Sequence, residues 1–158
     1  MNAYQALFLP YKKLTKTPVA DLSLLARIFI FIGIFFYLFS LPLVSLFTSS
    51  EDIQGIWILL IGWMGIIIFQ FSWFANPLNL LAMLLMTKRP LAAFLLSIIA
   101  FLLASQAFSF SEIPAGLNNE KVFIKDMGLG FYFWYMSHGL FLIATLIEAL
   151  KRAQKNED

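Results

Sequence analysis

Apolar residues run unbroken by charge through four stretches of the chain, 28–50, 53–87, 90–111 and 127–147. Each is long enough to carry a helix across a hydrocarbon core about 30 Å thick, which takes roughly 20 residues. The pattern predicts four helical spans. Span 1 covers 24–47, with Asp21 or Ser23 placed to accept from its free N–H groups and Pro42 placed to kink its last third. A polar turn, 48–52, leads to span 2 at 55–76, with Trp57 at interface depth. Span 3 covers 90–110 and opens on Pro90, a favourable first-turn residue; span 4 covers 128–150 and opens on Gly128.

The second stretch is irregular. Its 35 residues would reach about 52 Å as a helix, too long for one crossing and too short for two with a turn. Asn76-Pro77 falls where one crossing should end, so span 2 is bounded there and 78–87 reads as a short interfacial or kinked segment. A re-entrant half-helix is the alternative, and it needs protein around it to satisfy its backbone. The expected fold is therefore all-α integral membrane, one domain over 1–158. It is a four-transmembrane-helix bundle with a short interfacial or kinked segment after helix 2.

Charge orients the bundle. Lys12, Lys13, Lys16, Arg27, Lys88, Arg89, Lys151, Arg152 and Lys155 fall on one side of four spans, nine of the eleven basic residues. That side is expected to be cytoplasmic and to hold both termini. The segment 1–23 mixes Tyr4, Leu7 and Phe8 with three lysines, as a membrane-surface segment or a docking hook does. The loop 111–127 is the sizeable extracytoplasmic piece, with turn signals at Pro114-Ala115-Gly116 and Asn118-Asn119 and a short extended segment at Val122-Phe123-Ile124. The first apolar stretch starts behind 27 residues and outlasts a signal-peptide core, so it is read as a helix of the folded protein.

Composition agrees with this class. Charged residues make up 13% and apolar ones 61%, against about 25% charged in a soluble domain. A net charge of +2 excludes a large basic surface for nucleic acid. The absence of cysteine excludes disulfides, thiolate metal sites and Cys nucleophiles.

Polar residues inside the spans are the candidates for chemistry, because lipid makes them costly. His138 stands near mid-depth of span 4; its partners are expected around 62–65 of span 2 and 100–104 of span 3. Its role is either an interhelical hydrogen bond or a proton or ligand contact. Gln70 and Ser97 share a depth and are placed to bond each other; Gln106 adds a further polar position. Asn76 and Asn79 are placed to cap the break at Pro77. Gly62 with Gly65, and Ala100 with Ala104, form small-residue faces for helix packing. Arg27 and Glu148 stand at the cytoplasmic ends of spans 1 and 4, either to pair or to reach the interface independently. No metal, cofactor or catalytic residue is expected: one histidine gives too few ligands, and HExxH, GxSxG and Walker A patterns are absent.

The segments Trp73-Phe74-Ala75-Asn76-Pro77-Leu78 and Gly128-Leu129-Gly130-Phe131-Tyr132-Phe133-Trp134-Tyr135-Met136-Ser137 resemble a pattern of uncharacterised bacterial four-span inner-membrane proteins. In those proteins a Trp-small-Asn-Pro element ends the second span and a Gly-aromatic-Trp element opens the fourth. The resemblance implies a multi-pass protein of the bacterial cytoplasmic membrane and carries over no catalytic residue. The expected function is non-catalytic: an anchor, sensor or regulatory subunit for a protein partner, with defence or immunity as one setting, or self-association. The alternative is a small oligomeric channel or transporter; lipid-processing chemistry ranks below both.

Overall fold

The computed structural model describes residues 22–115 and 120–155. The expectation for the surface segment therefore falls almost wholly outside the described residues.

Helix α1 spans Leu24–Ser40, and the Ser23 hydroxyl accepts from Ala26 N at 3.2 Å to cap it. It was expected to run on to 47 with a kink at Pro42. It stops instead at Ser40, because Pro42 offers no N–H to continue the ladder, although Leu41 before it keeps helical dihedrals. The next residues, Val44-Ser45-Leu46-Phe47-Thr48, form strand β1, followed by the short β2 at Ile53–Gln54. Their turn is organised by Thr48 Oγ1, which accepts from Ser50 N and Glu51 N and donates to Glu51 O.

The segment expected as span 2 does not cross the bundle. Helix α2 covers Gly55–Ile61 and tightens into a 3-10 helix at Gly62–Ile68. Phe69 then takes a left-handed conformation at φ 57°, rare for a non-glycine residue, and reverses the chain. A 3-10 turn at Ser72–Phe74 leads into α3, Ala75–Leu85. The break thus lies at 69–71 rather than at Asn76-Pro77. Pro77 sits in the first turn of α3, where a proline is tolerated, and 78–85 is the body of that helix.

Helix α4 spans Pro90–Ser105, with a 3-10 extension at Gln106–Ser109. Strands β3, Glu112–Ala115, and β4, Glu120–Met127, form an antiparallel hairpin. Helix α5 runs Leu129–Lys155. The four strands make one sheet in the order β2-β1-β4-β3, with Leu46 opposite Met127 and Phe47 opposite Asp126. An all-α fold is thereby corrected to a mostly helical one with a four-stranded antiparallel sheet at one end.

Helices α1, α3, α4 and α5 alternate in direction. At one end Ser23 N donates to Glu148 Oε1 and a tight turn joins α3 to α4 through Arg89 N to Leu85 O. At the other end lie Ser40, Gly130, Ser105 and the sheet; Gly130 approaches the Ser40 carbonyl so closely that a Cβ there would meet it at 3.0 Å. The residues 55–71 leave and return at this sheet end: Ile56 N bonds Leu41 O beside the end of α1, and Phe71 N bonds Gln106 beside the end of α4.

The interior is small and polar, and the exterior large and apolar. Ala26, Ala82, Ala93 and Ala144 are fully buried together with Met86, and Ala75, Ala100 and Ala104 form a second cluster towards the sheet end. Phe31, Phe35, Leu84, Leu91 and Leu102 face outward. Gly33 lets α5 approach α1, since a Cβ there would stand 2.6 Å from the Phe141 ring. Among the described residues two helices are long and apolar enough to cross a membrane, Pro90–Ser109 and Leu129–Lys155; Leu24–Ser40, Gly55–Ile68 and Ser72–Leu85 are shorter apolar helices.

Candidate functional site: an apolar pocket above a buried polar layer

The folded-back segment 55–71 forms one wall of a half-open pocket of about 400 Å³ against the sheet end of the bundle. Ile58, Met64 and Ile68 line it from the segment, Tyr37 from α1, and Phe131 and Trp134 from α5. This volume lies within the range of small-molecule sites, which are mostly apolar with a few placed polar groups. The aromatic belt packs around it: Phe108 meets Phe131 edge-on at 4.9 Å, and Phe131 lies 5.9 Å from Trp134.

Three hydrogen bonds hold this segment in place. Trp73 Nε1 donates to Leu59 O at 2.8 Å, across the fold-back. The Gln106 side chain grips the reversal from both sides: its Oε1 accepts from Phe71 N at 2.8 Å and its Nε2 donates to Phe69 O at 2.9 Å. Between those two backbone anchors sits Gln70, whose own N–H bonds Gly65 O at 2.8 Å. Gln70 lines the pocket, is only 8% exposed, and its buried Oε1 has no hydrogen-bond partner.

The inner side of the pocket is closed by Trp134 Nε1 donating to Asn76 Oδ1 at 2.9 Å. One helical turn deeper, between the two alanine clusters, each of three helices contributes one polar residue: Asn79 of α3, Ser97 of α4 and His138 of α5. Asn79 is three residues beyond Asn76 and His138 four beyond Trp134, so both continue faces that already meet. His138 Nδ1 lies 3.0 Å from Trp134 O and 3.2 Å from Ser137 Oγ. The carbonyl can only accept, so Nδ1 carries the proton and Nε2 presents a bare lone pair. Nε2, both amide atoms of Asn79 and Ser97 Oγ are buried without partners.

The residues singled out in the sequence are distributed differently from their expected pairing. Gln70 and Ser97 do not bond; one lies at the pocket and the other in the buried layer. Gln106 is the clamp on the 69–71 reversal, not a polar position within a span. Gly62 and Gly65 serve the fold-back: a Cβ at Gly62 would meet Trp73 at 2.5 Å, and one at Gly65 would meet Gln70 O at 2.5 Å. They therefore contribute no partner to His138. Ala100 and Ala104 pack within the chain against Ala75 and Trp134. Among the described residues Arg27 and Glu148 form no ion pair; Glu148 accepts from Ser23 N at 2.6 Å instead. Asn79, expected with Asn76 as a cap of the break at Pro77, caps nothing, and neither it nor Trp134, given only within the resemblance, was read as part of a site. Their signal was spacing: Asn76 with Asn79, and Trp134 with His138, recur at one face of a helix.

Among the described residues no group of three or more His, Asp or Glu side chains gathers as a metal site. Comparison of the chain with protein-family models, curated proteins and solved structures gives no match.

Proposed function

We propose that this chain is a multi-pass protein of the bacterial cytoplasmic membrane. Four crossings, α1, the helix 72–85, α4 and α5, leave both termini in the cytoplasm, and the chain acts without catalysis as a sensing or regulatory subunit for a partner. In this reading an apolar molecule enters the pocket from the lipid phase, and its presence changes what the partner meets. The pocket carries the proposal: it is apolar and sits at one end of a bundle whose outer surface is itself apolar.

Two further features support membrane residence. The candidate spans in α4 and α5 are only 28% and 33% buried, whereas the core helix of a soluble protein is mostly covered. The buried side chains are chiefly Ala, Ser, Asn, His and Thr while Phe, Leu and Ile face out, the distribution that suits helices packing in lipid. Lys88, Arg89, Lys151, Arg152 and Lys155 lie at the end opposite the sheet, which supports a cytoplasmic placement for that end.

Purification from native membranes in mild detergent, followed by native mass spectrometry, tests the reading. A protein partner at fixed stoichiometry and a retained apolar molecule are the expected result. A specific ion or solute flux through the chain alone in liposomes would overturn it.

A second reading, a small oligomeric channel or transporter, is favoured by the unpartnered layer of Asn79, Ser97 and His138 beneath the pocket. Intramembrane polar groups of this kind line solute and proton paths. Under that reading His138→Ala lowers a measurable flux at least tenfold, whereas under the leading one there is no flux to lower.

A further inference from the structure

Among the described residues Gln70 is the one that lines the pocket with a buried, unpartnered polar atom, its Oε1. The backbone on each side of it is tied to the Gln106 amide, and its own N–H is tied to Gly65 O. These bonds fix the Gln70 backbone beside the pocket, while its side-chain Oε1 is held by none. Most of the lining is hydrocarbon or aromatic, with Ile58, Met64 and Ile68 from the segment that carries Gln70 and Phe131 from α5; Ser72 and Asn76 are further polar members. A buried acceptor left without a donor is costly, and a ligand that supplies the donor recovers that cost on binding.

We propose that the pocket binds a single-chain apolar molecule ending in a hydroxyl group, with the chain among the apolar walls and the hydroxyl donating to Gln70 Oε1 after that side chain rotates to turn its buried oxygen toward the ligand. This rests on the pocket reading above and adds the class of molecule and the residue that reads it. A plain alkane fills the walls and leaves the acceptor unmet. A carboxylate brings negative charge against a carbonyl oxygen in an apolar enclosure, with no cationic side chain among the lining residues. A hydroxyl satisfies Gln70 without either penalty. Free long-chain alcohols and monoacylglycerols share this chemistry.

The chain supplies its own reporters. Trp73 and Trp134 line the pocket, while the other two tryptophans, Trp57 and Trp63, are exposed at 56% and 51%. In a Trp57→Phe, Trp63→Phe background in lipid nanodiscs, saturable fluorescence quenching is measured with a terminally brominated alkanol, the matching bromoalkane and the matching bromoalkanoate. The alkanol is expected to half-saturate at about tenfold lower concentration than the other two. Gln70→Leu is expected to abolish that preference while the bromoalkane still quenches. A brominated monoacylglycerol, run alongside, separates a glycerolipid source from a free alcohol.

Equal half-saturation by alkanol and alkane in the protein with Gln70 intact would overturn the hydroxyl assignment and leave the pocket standing. Absence of saturable quenching by all of the compounds would overturn the pocket reading itself. Should Gln70→Leu disturb the reversal, the alkanol-to-alkane ratio of the Gln70 protein decides the question alone.

Discussion

Gln106 shows how one side chain decides whether the pocket exists. Its amide meets both the N–H of Phe71 and the carbonyl of Phe69, so it fixes a reversal built on a left-handed phenylalanine. The Phe69 end is exposed and water can replace that bond; the Phe71 N–H is partly buried and loses more. Gln106→Leu is therefore expected to lower stability by about 1–2 kcal/mol, read by thermal unfolding, and to raise hydrogen exchange at Phe71 first. An unchanged exchange rate there would show that the reversal holds without the clamp. The sequence made Gln106, Gln70, Ser97 and His138 visible by contrast, since each is a polar residue in an apolar stretch. It did not reveal their partners. Pairing by depth assumed that 55–76 was a straight helix, and the reversal at a residue as unremarkable in sequence as Phe69 moved Gln70 to the outer end and left Ser97 inside.

At the scale of elements, the apolar stretches announced helices but not where they stop. Pro42 was weighed as a kink and Pro77 as a boundary; instead Pro42 ends α1, while Pro77 lies harmlessly in the first turn of α3. The difference is position relative to the helix start, where an N–H has no intrahelical partner to lose. Pro77→Ala is accordingly expected to change stability by less than about 1 kcal/mol in chemical or thermal unfolding. A gain near 3 kcal/mol, the cost of an interior proline, would instead show that a helix runs through Pro77 from the residues before it. The sheet was hidden for another reason. Strand β1 at Val44–Thr48 pairs with β4 at Glu120–Met127, far along the chain. Five residues reading Val-Ser-Leu-Phe-Thr look like the continuation of an apolar helix until that distant partner is known. Only Val122-Phe123-Ile124, flanked by charge and turn residues, looked extended by itself.

For the whole molecule, the decisive quantity is which apolar segment traverses. Counting apolar stretches led to an expected four crossings with both ends together, and the function proposed above keeps that count with a different second member, 72–85 in place of 55–76. The two arrangements differ in the depth of Phe69, which is 77% exposed. In the first it lies inside the membrane on the way to the cytoplasm; in the second it stands at the sheet end, outside. The chain lacks cysteine, so single substitutions report without background. In intact cells, an impermeant thiol reagent is expected to label Glu51→Cys and Phe69→Cys and to spare Lys88→Cys and Lys155→Cys until the membrane is permeabilised. Labelling at Glu51→Cys without labelling at Phe69→Cys would return 55–76 to the membrane. Because 55–71 forms one wall of the pocket, that outcome would remove that wall, its Gln70 acceptor and the ligand class inferred from them.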